Sequence, residues 1–218
     1  MPTPAARLHP VCLALALACT LVAASCSHPR PPAVRIPPSV DLHEWPRIGL
    51  VRVQVSGPGS GRLEPTTTFM QAIQSAQGGV ALLELGDERA LLAAVGHSEL
   101  DFNAARAIGE RYGVDAVFVS RVELSEARPK LQLSTQLNAL RADATVQAAF
   151  HTRLLETRSG ATLWTGSANA ERSIARVSAS KGGPVDLRAA DPDDAYGELV
   201  RCLVRDATHD LRPRWERP

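Results

Sequence analysis

Four cysteines, six histidines and a scatter of carboxylates are the residues with which this chain could do chemistry. Cys202 stands alone near the carboxyl end and has two readings, a free catalytic thiol or a half-buried thiol on a helix. His209 lies seven residues beyond it, two helical turns along the axis and too far for direct contact. His43, His97, His151 and His209 are scattered, with no second ligand at zinc spacing. Asp143 and Glu156 fall at expected strand ends, where solvated charge is the ordinary state. Gly57-Pro58-Gly59-Ser60-Gly61 has its serine in fourth place, so it is not a nucleophile elbow. No Gly-Lys-Ser/Thr follows it, and Pro58 lacks an amide, so it is a poor phosphate cradle. Asp191, Asp193 and Asp194 lack the glycine and distal glutamate of a calcium loop and suit helix capping. The expectation is therefore no catalytic residue, no metal site, no cofactor and no small-molecule substrate: the chain reads as not an enzyme.

The clearest chemical instruction is Leu21-Val22-Ala23-Ala24-Ser25-Cys26. It closes an apolar run from Val11 to Val22, which follows a short start carrying Arg7. A charged start, an apolar middle and a small-residue exit is the layout of a secretory signal. The run of about 12 residues is too short to span a bilayer as a helix, which takes about 20. Ala23-Ala24-Ser25 suits the general signal peptidase, so cleavage between Ser25 and Cys26 fits an ordinary signal.

The same string resembles the lipobox of bacterial lipoproteins. That resemblance also implies cleavage before Cys26, with lipid on its sulfur and on its new amino group. Ala23 stands where Leu is commoner. Multiple acyl chains on Cys26 would hold a membrane firmly, where a single chain does so only marginally. Ser27, in place of Asp, implies sorting to the outer membrane of a Gram-negative cell, facing the periplasm. Cys12 and Cys19 leave with the signal, so no intramolecular disulfide is expected.

The chain has 218 residues, 44% hydrophobic and 22% charged, with net charge +1. Such values describe a globular domain and favour neither disorder nor nucleic-acid binding. The expected domains are a signal peptide at 1–25, a lipidated cysteine with a proline-rich tether at 26–46, and one α/β domain at 47–218. Pro29, Pro31, Pro32, Pro37, Pro38 and Pro46 would extend the tether along a polyproline II path on the order of 50 Å long.

The elements that must position any site follow in order. Arg47–Val55 reads as a strand, Pro65–Gln77 as a helix stopped by Gly78-Gly79, and Val80–Leu85 as a strand. Asp87 and Asp101 cap two further helices, ended by Gly96 and Gly113. Asp115–Leu124, Leu131–Leu140, Thr145–Thr157 and Thr162–Ala168 read as strands. Ser173–Ala190 has a poor pattern and reads as a loop. A last helix starts near Asp191-Pro192, shows an apolar stripe of Tyr196, Leu199, Val200, Leu203, Ala207 and Leu211, and ends at Pro213. The expected fold is a single α/β (α+β) domain, a mixed β-sheet with helices packed against it, in the order β-α-β-α-α-β-β-β-β-α.

This order resembles a group that includes the curli secretion-channel lipoprotein, the amino-terminal domain of TolB and lipoprotein activators of penicillin-binding proteins. Three strings carry the resemblance. They are Ile48–Val55, the helix-to-strand passage Ala104–Val117 through Gly113-Val114-Asp115-Ala116, and the hairpin Thr152–Trp164, where Glu156 and Ser159 replace a usual Asp and Thr. The resemblance implies a non-enzymatic accessory or scaffold in envelope assembly or secretion. Its partners would be the membrane, through the lipid, and an envelope protein complex or further copies of itself. Docking would use a sheet edge or the Ser173–Ala190 loop. The alternative is a curli-type export pore subunit. For that, Leu131–Thr157 offers one inserting hairpin. Ala170–Leu187 fails as the second, because Arg172, Arg176, Lys181 and Asp186 crowd it and aromatic anchors are missing.

Overall fold

The computed structural model describes residues 33–57, 63–126, 128–133, 139–180, 186–189 and 192–216. The expected signal peptide, Ser25, Cys26, residues 26–32 of the expected tether and residues 58–61 of the glycine-rich loop lie outside the described residues. The structure divides into a small unit, Met1–Ile36 with Trp215–Pro218, and a main unit, Pro37–Arg214. In the small unit the described element is a two-stranded sheet of β1 (Val34–Ile36) and β10 (Arg214–Glu216, whose first residue belongs to the main unit).

The main unit is a mixed sheet with helices packed against it, as the sequence pattern predicts, and the helices lie on both faces. Its strands are β2 (Ile48–Val51), β3 (Gln54–Ser56), β4 (Leu82–Gly86), β5 (Ala116–Leu124), β6 (Arg128–Leu133), β7 (Ala139–Glu156), β8 (Thr162–Ser180) and β9 (Asp186–Ala189). They run in the order β4-β2-β5-β7-β8-β9, with β3 also on β5 and β6 also on β7. The β4-β2-β5 part is parallel, and everything from β7 onward is antiparallel. The helices are α1 (Pro65–Ala76), α2 (Glu88–Val95), α3 (Phe102–Tyr112) and α4 (Pro192–Ala207).

Alternation along each strand sends side chains to opposite faces, and the helices sort accordingly. On one face Ile48, Leu50, Phe118, Val122, Phe150, Leu154 and Trp164 pack under α1 and α4, through Phe69, Ile73, Leu199 and Leu203. Phe69 sits edge-on to Phe118 and Phe150, with ring centroids 5.4 Å apart in both pairs. On the other face Val51 and Val117 meet Leu91 of α2 and Ile108 of α3. Helix ends follow their local chemistry. The Asp87 carboxylate accepts from the N–H groups of Arg89 and Ala90, and Asp101 accepts from Ala104. Gly96 and Gly113 close α2 and α3 in the left-handed region.

Three expectations need correction. First, Arg47–Val55 is two strands: Arg52 and Val53 interrupt it, and the resulting β2 and β3 pair with successive stretches of β5. Second, the folded body begins before Arg47. A short 3-10 helix, η1 (Leu42–Glu44), buries Leu42 completely, because an isolated apolar residue in a proline-rich run still gains by entering a core.

Third, Ser173–Ala190, expected as a loop, is mostly strand. β8 continues to Ser180, and β9 pairs antiparallel with it from Ala175↔Ala189 to Ser178↔Asp186. Strand here is set by the long partner β7, which supplies a hydrogen-bond ladder along its length. A ribbon paired in this way needs no buried apolar face, so the sequence shows no alternation. Pairing with β7 likewise places β6 at Arg128–Leu133, and β7 itself begins at Ala139. At the other end α4 stops at Ala207, and a second 3-10 turn, η2 (His209–Leu211), carries Leu211 into the core.

Candidate docking face

The sequence singles out Ser25 and Cys26 as site residues, and both lie outside the described residues. Cys202 falls on the half-buried reading, on α4. It donates towards Asp206 Oδ2 at 3.4 Å and accepts from Arg205 Nη2 at 3.1 Å. Burial, followed by the Asp206 carboxylate, pushes its thiol above the ordinary range, the opposite of an activated nucleophile. His209 instead places Nδ1 2.9 Å from the Asp206 carbonyl oxygen. His43 pairs with Asp41 at 2.9 Å and contacts the Gly78 carbonyl. Glu156 receives the Ser159 hydroxyl at the β7–β8 turn. Asp143 lies within β7, not at its end. Among the described residues no group of three His, Cys, Asp or Glu side chains could hold a metal ion. No helix among them is long and apolar enough to cross a membrane.

What the structure brings together, and sequence reasoning missed, is an open stretch of sheet. α2 and α3 have 8 and 11 residues and reach only the first part of β5 on their side. Val117 is buried there and Val119 packs against the same cluster, but Arg121 and Glu123, next on that face, are exposed. Register extends this bare face across three strands. Arg121 pairs with His151, which pairs with Ser167; Val119 pairs with Arg153, which pairs with Thr165; Glu123 pairs with Ala149, which pairs with Asn169. Gln54 of β3 joins the central row beside Arg121 and donates to Glu88 at 2.8 Å. A shallow hollow of about 540 Å³ lies against Arg121, His151 and Arg153. A second, of about 580 Å³, lies against Glu123, Gln147 and Glu171.

Beneath this polar face the same strands are sealed. Ser120 donates to the Thr152 hydroxyl at 2.8 Å inside the α1/α4 side, and Phe118, Val122 and Phe150 flank that pair. The floor is therefore closed and its outer surface exposed and charged, which suits contact with another molecule. The signal that could have located it is the switch in β5 from Val117 and Val119 to Arg121 and Glu123 at period two.

No family model and no curated protein matches this sequence. Similar solved structures include the lipoprotein GNA1162 from Neisseria meningitidis, at 18% identity over 58% of this chain and 83% of that one, with a TM-score of 0.35. The PelC dodecamer from Paraburkholderia phytofirmans matches at 10% identity over 83% and 98%, with a TM-score of 0.39. The LpoB C-terminal domain from Salmonella enterica matches at 17% identity over 58% and 83%, with a TM-score of 0.35. All three likenesses are of low identity, and the site rests on this chain's own geometry.

Proposed function

We propose that this protein is an outer-membrane lipoprotein, anchored through Cys26 and facing the periplasm. There it acts by contact, as a non-enzymatic accessory or scaffold in envelope assembly or secretion. The anchor comes from the signal layout and the cysteine that ends it. The contact role is carried by one observation: among the described residues, no helix covers the sheet face from Arg121 and Arg153 to Glu171, which lies over a closed core. A photo-reactive amino acid at Ser167, on that face, is expected to give envelope adducts in living cells. The same label at Arg106, on exposed α3, is expected to give none. Equal labelling from both positions would remove the support for this face.

A second reading, an export-pore subunit, is kept alive by β7 and β8, which have 18 and 19 residues where β5 has 9. Size exclusion in detergent separates the two, since a pore requires a closed ring of many copies.

A further inference from the structure

The bare face is charged unevenly along its strands. Towards α2 stand Arg153 and Arg121, with His151 paired to Arg121. Further along stand Glu123 on β5 and Glu171 on β8, the latter accepting from Gln147 Nε2 at 3.3 Å. No ion pair joins Arg121, Arg153 or Glu123 to another described residue. A rise of about 3.3 Å per residue separates Arg121 from Glu123 by about 7 Å along β5. Between the two ends the outward side chains are short: Ala149, Ser167 and Asn169.

We infer that this face binds the same face of a second copy of the chain about a twofold axis. The inference rests on reading the bare face as a contact surface, and it names the occupant. A twofold lying across the strands, passing β7 near Phe150, lays β5 over β5 and β7 over β7 while reversing their direction. It sets Arg121 against the partner's Glu123. It also sets Arg153 against the partner's Gln147, beside the partner's Glu171. Each attraction then occurs twice, as a closed isologous interface requires. A twofold along the strands would instead lay arginine on arginine, so charge selects one arrangement.

The strip spans about 20 Å along the strands and about 14 Å across three of them. That falls short of the roughly 800 Å² per partner of a stable interface. The pair is therefore weak and salt-sensitive, suited to copies concentrated in one membrane leaflet by their anchors.

The test is sedimentation equilibrium of the purified lipoprotein in a non-ionic detergent. A reversible monomer–dimer equilibrium is expected, weakened at least about tenfold between about 50 mM and 500 mM salt. The double variant Arg121→Glu/Arg153→Glu is expected to stay monomeric, and so is Glu123→Arg/Glu171→Arg. An equimolar mixture of the two is expected to restore a dimer that neither forms alone, which also shows both to be folded. The proposal is overturned by a wild-type chain that remains monomeric at low salt. It is overturned equally by a dimer indifferent to both charge reversals, or by a mixture that fails to associate while both variants keep the wild-type circular dichroism. A monomer whose Ser167 label still captures another envelope protein would remove the second copy as occupant and leave the contact reading standing.

Discussion

The side-chain oxygen of Gln77 accepts the backbone N–H of Leu42 at 2.8 Å, and its amide donates to the carbonyl oxygens of Val40 and Leu211 at 2.7 and 3.0 Å. One side chain, 7% exposed, thus satisfies three backbone groups from the segment before β2 and the segment after α4. Replacing it leaves those groups without partners, at about 1–3 kcal/mol each where they stay buried. Gln77→Ala is expected to lose about 3 kcal/mol in denaturant unfolding and to speed hydrogen exchange at the Leu42 amide. An unchanged unfolding midpoint would show that water replaces the side chain.

Phe150, on β7, is fully buried against Phe69 of α1, so truncating it opens a cavity that well-packed neighbours cannot fill. Phe150→Ala is expected to cost about 3–5 kcal/mol. Ser167→Ala, on the opposite side of the neighbouring strand and exposed, is expected to change stability by less than about 0.5 kcal/mol. Thermal melts of the two variants check the contrast.

Gly109 sits in the middle of α3, where Ala would ordinarily raise helix propensity. Here an added Cβ would lie 2.6 Å from Thr157 Cβ and Oγ1, and the Thr157 hydroxyl is itself bonded to the Val114 and Asp115 carbonyls. Gly109→Ala is expected to destabilise by about 1–3 kcal/mol despite the better propensity. A gain in melting temperature would mean that α3 shifts off the sheet without loss.

The Asp41–His43 pair makes a pH prediction of definite sign. The Asp41 side chain, followed by the Gly78 carbonyl, raises the His43 pKa above 6.5, and His43 lowers the Asp41 pKa below 3.8. The stabilisation linked to His43 is fully present below pH 6.5 and is lost as pH rises through the folded value. That linked to Asp41 is present above pH 3.8 and is lost as pH falls through its folded value. An NMR titration should place the His43 midpoint above 6.5 and bring it back towards 6.5 in Asp41→Asn; equal midpoints would contradict the pairing.

Cys202 is expected to alkylate slowly at neutral pH, because burial and the Asp206 carboxylate keep the thiol protonated. Asp206→Asn should speed the reaction. Mass spectrometry after timed exposure to iodoacetamide measures both rates, and prompt modification of the wild type would reopen the catalytic reading.

Much of the fold was legible because burial and local chemistry agree. Period-two alternation marked β5 and the body of β7, and aspartates with left-handed glycines bounded α2 and α3. The face of α1 and α4 was visible in Phe69, Ile73, Leu199 and Leu203.

By itself the sequence determined most of the element types and the caps of α2 and α3, since each depends on residues only a few positions apart. Tertiary structure alone decided that Leu42 joins the core, that β8 runs on to Ser180, and that Arg121 and Glu123 stay uncovered. Those outcomes depend on what distant segments bring alongside: Gln77 and Leu211 around Leu42, β7 along β8, and helices too short to reach past Val119. No local pattern records such neighbours, because a polar alternating strand looks the same whether its outer face meets water or another molecule.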